Sequence, residues 1–395
     1  MNRSIAWLTL CQGLLLTNNV VFIAVNGLVG LHLAPRPWMA TLPVMGYVVG
    51  GALSTPLVAA SQRRWGRRGS FQLGLLVALV SAALCAFAAY TQQFALLCLA
   101  TVVAGYYSAN GQLYRFAAAE LVDASQRERA ISLVLAGGLL GAVLGPALAS
   151  RAKTWLPTPF LGAYLALMVV AAIGIACMGR VRFPAPAARS AGAGAAPSRS
   201  AWQLLAQPGF AVATFCAAAS YGVMNLLMAA TPIAMDVCGY DFSDAAGVLQ
   251  WHVVGMFAPG FVTGQLIKRF GVLAVMGVGV LLNLVCVGVA LSGQSVMHFT
   301  WALALLGVGW NFLFTGSTSL AMDHYRPEEK DRAQATINFC VFATMAVTSF
   351  ASGALVTSQG WTMLNWGSLP PLALTALGLL AVAWRWRARA ALGRP

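Results

Sequence analysis

Arg63-Arg64-Trp65-Gly66 and Lys268-Arg269-Phe270-Gly271 are one phrase written twice, two bases, an aromatic and a glycine, 205 positions apart. Each follows a long apolar run and precedes another. A second phrase keeps almost the same period. Glu120, seven residues and Glu128-Arg129-Ala130 return 203 positions later as Asp323, seven residues and Asp331-Arg332-Ala333. Two separate matches at one period mark a duplicated unit, and the period is about half the chain.

The residues around these phrases decide what is duplicated. The 395-residue chain is 59% hydrophobic and 9% charged, with a mean hydropathy of +0.76. No water-soluble domain has that composition. A bilayer-spanning helix takes about 20 apolar residues, and apolar runs between breakers place spans at 5–31, 38–60, 70–90, 93–119, 130–150, 158–179, 208–235, 245–267, 272–292, 296–321, 334–357 and 362–384. The expected fold is therefore all-α, with twelve transmembrane helices in two six-helix pseudo-repeats. The first run is about twice a signal-peptide core and has no clear cleavage site, so it counts as a span.

The net charge of +14 would favour nucleic acid in a soluble protein, but its placement reads as orientation. Bases fall on alternating loops (Arg63 to Arg68, Arg127 and Arg129, Arg180 to Arg199, Lys268 and Arg269, Arg326 to Arg332, and the C-terminal arginines), while the opposite loops hold Arg36, Arg151 and Lys153. The positive-inside rule then expects an inner-membrane protein with both termini cytoplasmic and no nucleic-acid partner. The Ala, Pro, Gly and Ser-rich stretch from Pro184 to Ser200 has no periodicity and reads as a linker. The expected division is 1–183, a linker at 184–203, and 204–395. Seven of the eight cysteines sit in apolar runs without paired spacing, so neither a disulfide framework nor a metal site is expected.

These residues resemble the major facilitator superfamily over the whole chain. The loop Arg63 to Arg68 is similar to its first signature, G-x-x-x-D-R-x-G-R/K-R. Arg64, Gly66, Arg67 and Arg68 match, and Ala59 and Arg63 replace the first Gly and the Asp. Arg269 and Gly271 repeat the pattern, with Lys268 in place of the Asp. The resemblance implies conformational latches at these positions. Gly137, Gly141, Gly145 and Pro146 resemble the antiporter signature G-x-x-x-G-P-x-x-G-G, with Ala149 and Ser150 where glycines would stand; close helix packing alone also gives that spacing. Met224 to Met228, Gln250-Trp251-His252, Met256-Phe257-Ala258-Pro259 and Gly309 to Leu313 resemble a bacterial subgroup of unassigned substrate. The superfamily implies two halves that rock about a central site, with spans 1, 4, 7 and 10 lining the cavity.

All ten acids, Glu120, Asp123, Glu128, Asp236, Asp241, Asp244, Asp323, Glu328, Glu329 and Asp331, lie at span ends or in loops, so no carboxylate is placed to carry a proton mid-membrane. His252, roughly 10 Å below the external face, is the candidate proton carrier and a candidate substrate contact, with a structural hydrogen bond to a neighbouring helix as the alternative. Arg115 either snorkels or pairs with Glu120. Amides and aromatics form stripes: Gln12, Asn19 and Asn26 in span 1; Tyr107, Asn110 and Tyr114 in span 4; Tyr221, Asn225 and Met228 in span 7; Trp310 and Asn311 in span 10. Amides are costly against lipid, so these stripes are expected to face a cavity or another helix. Glu120 with Arg129, and Asp323 with Arg332, are expected to hold spans 4 and 5, and 10 and 11, in register.

Such a lining suits an uncharged or weakly charged, partly aromatic organic solute. No nucleotide, metalloprotease or nucleophile signature appears, so neither a cofactor nor an enzyme is expected. The expected function is secondary active transport by a monomer in contact with membrane lipid. Proton-linked export of small organic compounds leads, on the span 5 glycines. Uptake or facilitated diffusion of a nutrient or vitamin-like solute is the alternative, and a non-transporting sensor stands in another class.

Overall fold

The computed structural model describes residues 3–123, 126–183, 199–326 and 329–391, so residues 184–198 of the expected linker lie outside it. Sixteen α-helices and one short 3-10 turn make up the described regular structure. The first half holds α1 (Arg3–Leu33), α2 (Leu42–Tyr90), α3 (Phe94–Gly111), α4 (Tyr114–Ala119), α5 (Arg127–Ala136), α6 (Gly138–Ala152) and α7 (Leu161–Met178). The second holds α8 (Ala201–Leu205), α9 (Pro208–Val237), α10 (Phe242–Phe257), α11 (Gly260–Phe270), α12 (Val272–Ser292), α13 (Val296–Met322), α14 (Lys330–Ser358), α15 (Gly360–Gly367) and α16 (Leu369–Ala391).

Ten described segments are long and apolar enough to cross a membrane. An eleventh is the pair α10 and α11, bent by 42° at the break where Pro259 cannot donate a backbone hydrogen bond. The expected twelve is reached only when the 49-residue α2 is divided at Gly66, whose φ of 67° and ψ of −178° are not helical.

Gly66 and Gly271 show what the repeated phrase does. Their φ values are 67° and 86°, and a Cβ on either would meet nothing within 4 Å. Glycine is needed there for backbone conformation and not for space. The neighbouring bases also match: the Arg64 guanidinium lies 5.3 Å from the Trp65 ring centre, and Arg269 lies 5.3 Å from that of Phe270.

The duplication extends to packing that the sequence reading did not single out. A Cβ on Gly50 would stand 1.9 Å from Val102 O, and one on Gly105 would stand 2.2 Å from Gly51 N, so α2 and α3 cross nearly backbone to backbone. Gly255, 205 positions after Gly50, and Gly307, 202 after Gly105, make the same crossing of α10 and α13.

The span 5 glycines serve a contact of this kind. A Cβ on Gly137 would lie 2.2 Å from Thr9 O, on Gly141 2.5 Å from Leu16 Cβ, and on Gly145 2.9 Å from Val20 Cβ, all on α1. Close packing within one half accounts for their spacing. Gly137→Ala should therefore cost about 1–3 kcal/mol of stability, read as a lowered unfolding midpoint in mild detergent; an unchanged midpoint would mean that α1 simply moves aside.

The apolar core divides unevenly. One continuous cluster joins the halves, with Phe22, Val25 and Tyr164 from the first and Leu227, Ile233 and Phe299 from the second. Toward the end carrying the chain termini it gives way to two separate cores, one around Leu8, Phe71, Tyr114 and Met178, the other around Phe210, Met276, Leu320 and Ile337. The halves are thus joined at the end far from the termini. There the Thr41 hydroxyl donates to Ser349 O (2.6 Å) and accepts from Gly353 N (3.1 Å), so it engages both partners of one helical rung of α14. Trp38 meets Phe350 edge to face beside it, with ring centres 5.9 Å apart.

Candidate functional site

Between the joined end and the split end, α9 and α13 of the second half bring three rings together. Tyr221 stands edge-on to Trp310 and Phe314, with ring centres 5.0 and 4.8 Å away, and Trp310 stacks on Phe314 at 5.4 Å and 9°. Phe257, at the break between α10 and α11, adds a fourth ring 6.4 Å from Trp310. Phe257 also packs with Val20, Ala142 and Val253, a small cluster in which α1 and α6 meet α10. The rings therefore sit where the two halves touch.

The first half supplies a cation to this place. Arg115 of α4 has its guanidinium carbon 4.8 Å from the Phe116 ring centre, and it lies within electrostatic reach of Tyr221 of the second half. Arg115 Nε and Trp310 Nε1 are both buried donors with no hydrogen-bond acceptor. Unpaired buried donors are costly, and at a cleft between domains they are the groups a ligand's acceptors would satisfy. Aromatic walls with two such donors can hold a flat conjugated ring that has acceptors on its edge.

The predicted amides are placed less uniformly. Asn19 is half-buried and accepts from the Tyr47 hydroxyl, while Gln12 is buried in α1. Asn26 is fully buried and accepts from the Tyr164 hydroxyl at 2.7 Å, within the first half. Asn225 donates to Met345 O, Thr348 Oγ1 and Ser349 Oγ, fastening α9 to α14. Asn311 accepts from Thr263 Oγ1 (2.6 Å) and donates to Met256 O (2.7 Å), bracing the α10–α11 break. Tyr107 and Tyr114 lie in the first half's own core, and Asn110 donates to Ser70 O and Oγ just beyond the Gly66 turn. His252 is fully buried on α10; with Nδ1 assigned the proton, it donates to Leu303 O of α13 at 2.8 Å, and Nε2 is buried without a partner. Of the predicted residues, the structure brings Tyr221 and Trp310 together at the interface, whereas Asn26, Asn225 and Asn311 already have protein partners.

The Major Facilitator Superfamily profile matches residues 8–340 and 248–395. The chain is 36% identical over 379 residues to the riboflavin transporter RfnT of Brucella anthropi, covering 96% of this chain and 95% of that one. The chain belongs to the major facilitator superfamily. An uncharacterised transporter of this superfamily in Bacillus subtilis is 26% identical over 92% of this chain and 86% of its own length. Among solved structures, the nucleoside transporter NupG superposes with a TM-score of 0.74 at 11% identity, covering 96% of this chain and 99% of that one. The peptide transporter PepTSo gives 0.72 at 12%, covering 98% of each. These two likenesses show the fold alone. The chain is thus a multi-pass membrane transporter of this superfamily.

The signature loop is held here by partners that the sequence did not reveal. Glu120 is bound by Arg67, Nη2 to Oε1 at 2.5 Å and Nε to Oε2 at 3.1 Å, so of the two alternatives for Arg115 the pairing with Glu120 is not the one seen. The side chain of Arg129 lies outside the described residues. Arg67 also binds Gln62, and Arg68 Nη2 donates to Gly179 O at 2.5 Å. In the second half Asp323 is exposed, and the fastening is Arg199 with Glu329. Arg199 Nε and Nη2 donate to the two carboxylate oxygens at 2.7 and 2.6 Å, Arg326 N adds a 3.0 Å bond, and Arg332 donates to Arg199 O at 2.9 Å. A glutamate between Arg326 and Lys330 reads only as a loop charge, because its partner lies 130 positions earlier, near the end of the linker stretch. Phe314 was open to inference, since it follows Trp310 by four residues on one helical face.

Arg199 and the Arg326 backbone amide hold the Glu329 carboxyl well below its ordinary value of 4.5, at about 2. A lowered folded-state pKa contributes stability above the ordinary value, and that contribution disappears as pH falls from about 4.5 through about 2. Wild type should therefore unfold at a higher temperature than Glu329→Gln at pH 7, with the difference shrinking progressively below pH 4.5. A gap that stays constant on acidification would contradict this assignment.

Proposed function

We propose that this chain takes up a flat, aromatic-ringed vitamin of the riboflavin class across the bacterial inner membrane by alternating access. The observation that carries the reading is the 36% identity to the Brucella anthropi riboflavin transporter over nearly the full length of both chains. The geometry supports it. A tricyclic flavin ring has a broad face to lay against the Tyr221, Trp310 and Phe314 cluster, and carbonyl and ring-nitrogen acceptors for Trp310 Nε1 and Arg115.

In this reading α2 counts as two spans, the chain crosses twelve times with both termini cytoplasmic, and residues 1–183 and 204–395 are the moving halves of a monomer. The joined far end and divided terminal end are then the cytoplasm-open extreme of the cycle. Export loses its main support, because the α6 glycines are used in packing against α1. His252 is taken as a packing residue, since its ring is buried and held by Leu303 O.

Expression in a riboflavin-auxotrophic bacterium lacking its own importer tests the reading. Growth on low external riboflavin should be restored. Absent growth with protein present in the membrane would overturn it.

A further inference from the structure

At the end carrying the termini, Arg3, Ser4 and Trp7 of α1, Arg68 of α2, and Arg180 and Arg182 beyond α7 line a cavity of about 740 Å³. Four arginines line it and no carboxylate is among the described lining residues. The walls are fixed to one another. The Arg180 guanidinium carbon is 5.1 Å from the Trp7 ring centre, Arg68 donates to Gly179 O at 2.5 Å, and Arg182 N donates to Ser4 Oγ at 3.1 Å.

A second observation says what fills it. Leu165, Val169 and Ile173 form an i, i+4, i+8 apolar stripe along α7, 41%, 59% and 46% exposed, and just beyond the end of α7 the Arg180 side chain folds back to donate to Ala176 O at 3.3 Å. A cationic cavity at the head of an exposed apolar track has the two-part chemistry of a phospholipid. Tryptophan at such a depth is the usual interfacial anchor.

We propose that this cavity binds the phosphate headgroup of an anionic phospholipid, with an acyl chain lying along Leu165, Val169 and Ile173. The superfamily assignment names no such site, and the proposal does not depend on what the central site carries. Because Arg68 lies two residues after the Gly66 turn and Arg180 lies just beyond α7, a bound headgroup ties α1, the signature loop and α7 into one body.

Native mass spectrometry of the delipidated full chain with added phosphatidylglycerol or phosphatidylcholine tests this. Wild type should retain phosphatidylglycerol in preference to phosphatidylcholine. Arg3→Gln/Arg180→Gln/Arg182→Gln should bind phosphatidylglycerol on the order of a hundredfold more weakly, at roughly fivefold per charge. The corresponding triple lysine variant should keep most of the binding. Equal retention of the two lipids, an unaffected glutamine variant, or displacement of the lipid by millimolar inorganic phosphate would each overturn the proposal. Should the glutamine variant not fold, the wild-type preference between the two lipids decides alone.

Discussion

Trp310→Leu should weaken riboflavin binding roughly ten- to a hundredfold, measured by quenching of flavin fluorescence on titration with purified protein. Stacking of a flat heterocycle on an aromatic side chain is worth about 1–3 kcal/mol, and leucine removes both that face and the Nε1 donor. Trp310→Phe separates the two contributions, since it keeps a ring and loses only the donor, and should fall between wild type and the leucine variant. Trp310 is 6% exposed and packs on Tyr221 and Phe314, so folded yield must be checked by size exclusion. If both variants bind as wild type does, the rings are packing and the ligand lies elsewhere.

Gly353→Val should disable the far-end closure. A Cβ at position 353 would stand 2.3 Å from Thr41 Oγ1 and 2.9 Å from Thr41 Cγ2, so the hydroxyl could not reach Ser349 O and Gly353 N. Forcing extra carbon into a packed contact costs about 1–3 kcal/mol, which shifts a two-state equilibrium about 5- to 150-fold toward the open far end. Spin labels at Trp155 and Val237, exposed residues at that end of the two halves, should show a longer distance population in a Cys238→Ser background. Transport should drop at least tenfold. Distances and flux equal to wild type would mean that the Thr41 contact does not hold the halves together.

The sequence made the fold class readable because its signals are local. Apolar run length marks the spans, and the repeated Arg-aromatic-Gly phrase marks two turns whose glycines both take positive φ. Whether α2 is one helix or two turns on Gly66, which the repeat located without showing its geometry. The site was readable only in pieces. Tyr221 and Trp310 were expected on cavity-lining helices and do meet at the interface. Helical spacing shows which residues share a face but not what the face meets, so Asn225 and Asn311 could not be distinguished from ligand contacts before α14 and α10 were placed beside them. Arg199 and Glu329 are joined only by tertiary structure, which also brings Arg115 near Tyr221. Gly137, Gly141 and Gly145 carried a resemblance to an antiporter signature, but their contacts with Thr9, Leu16 and Val20 are a matter of packing.

The central claim is tested most directly by riboflavin flux into proteoliposomes containing the purified chain. Time-dependent, saturable accumulation of riboflavin in the lumen, absent from empty vesicles and reduced by Trp310→Leu, is the predicted result. Binding without accumulation would place the chain among sensors, and neither binding nor accumulation by correctly folded protein would contradict the account.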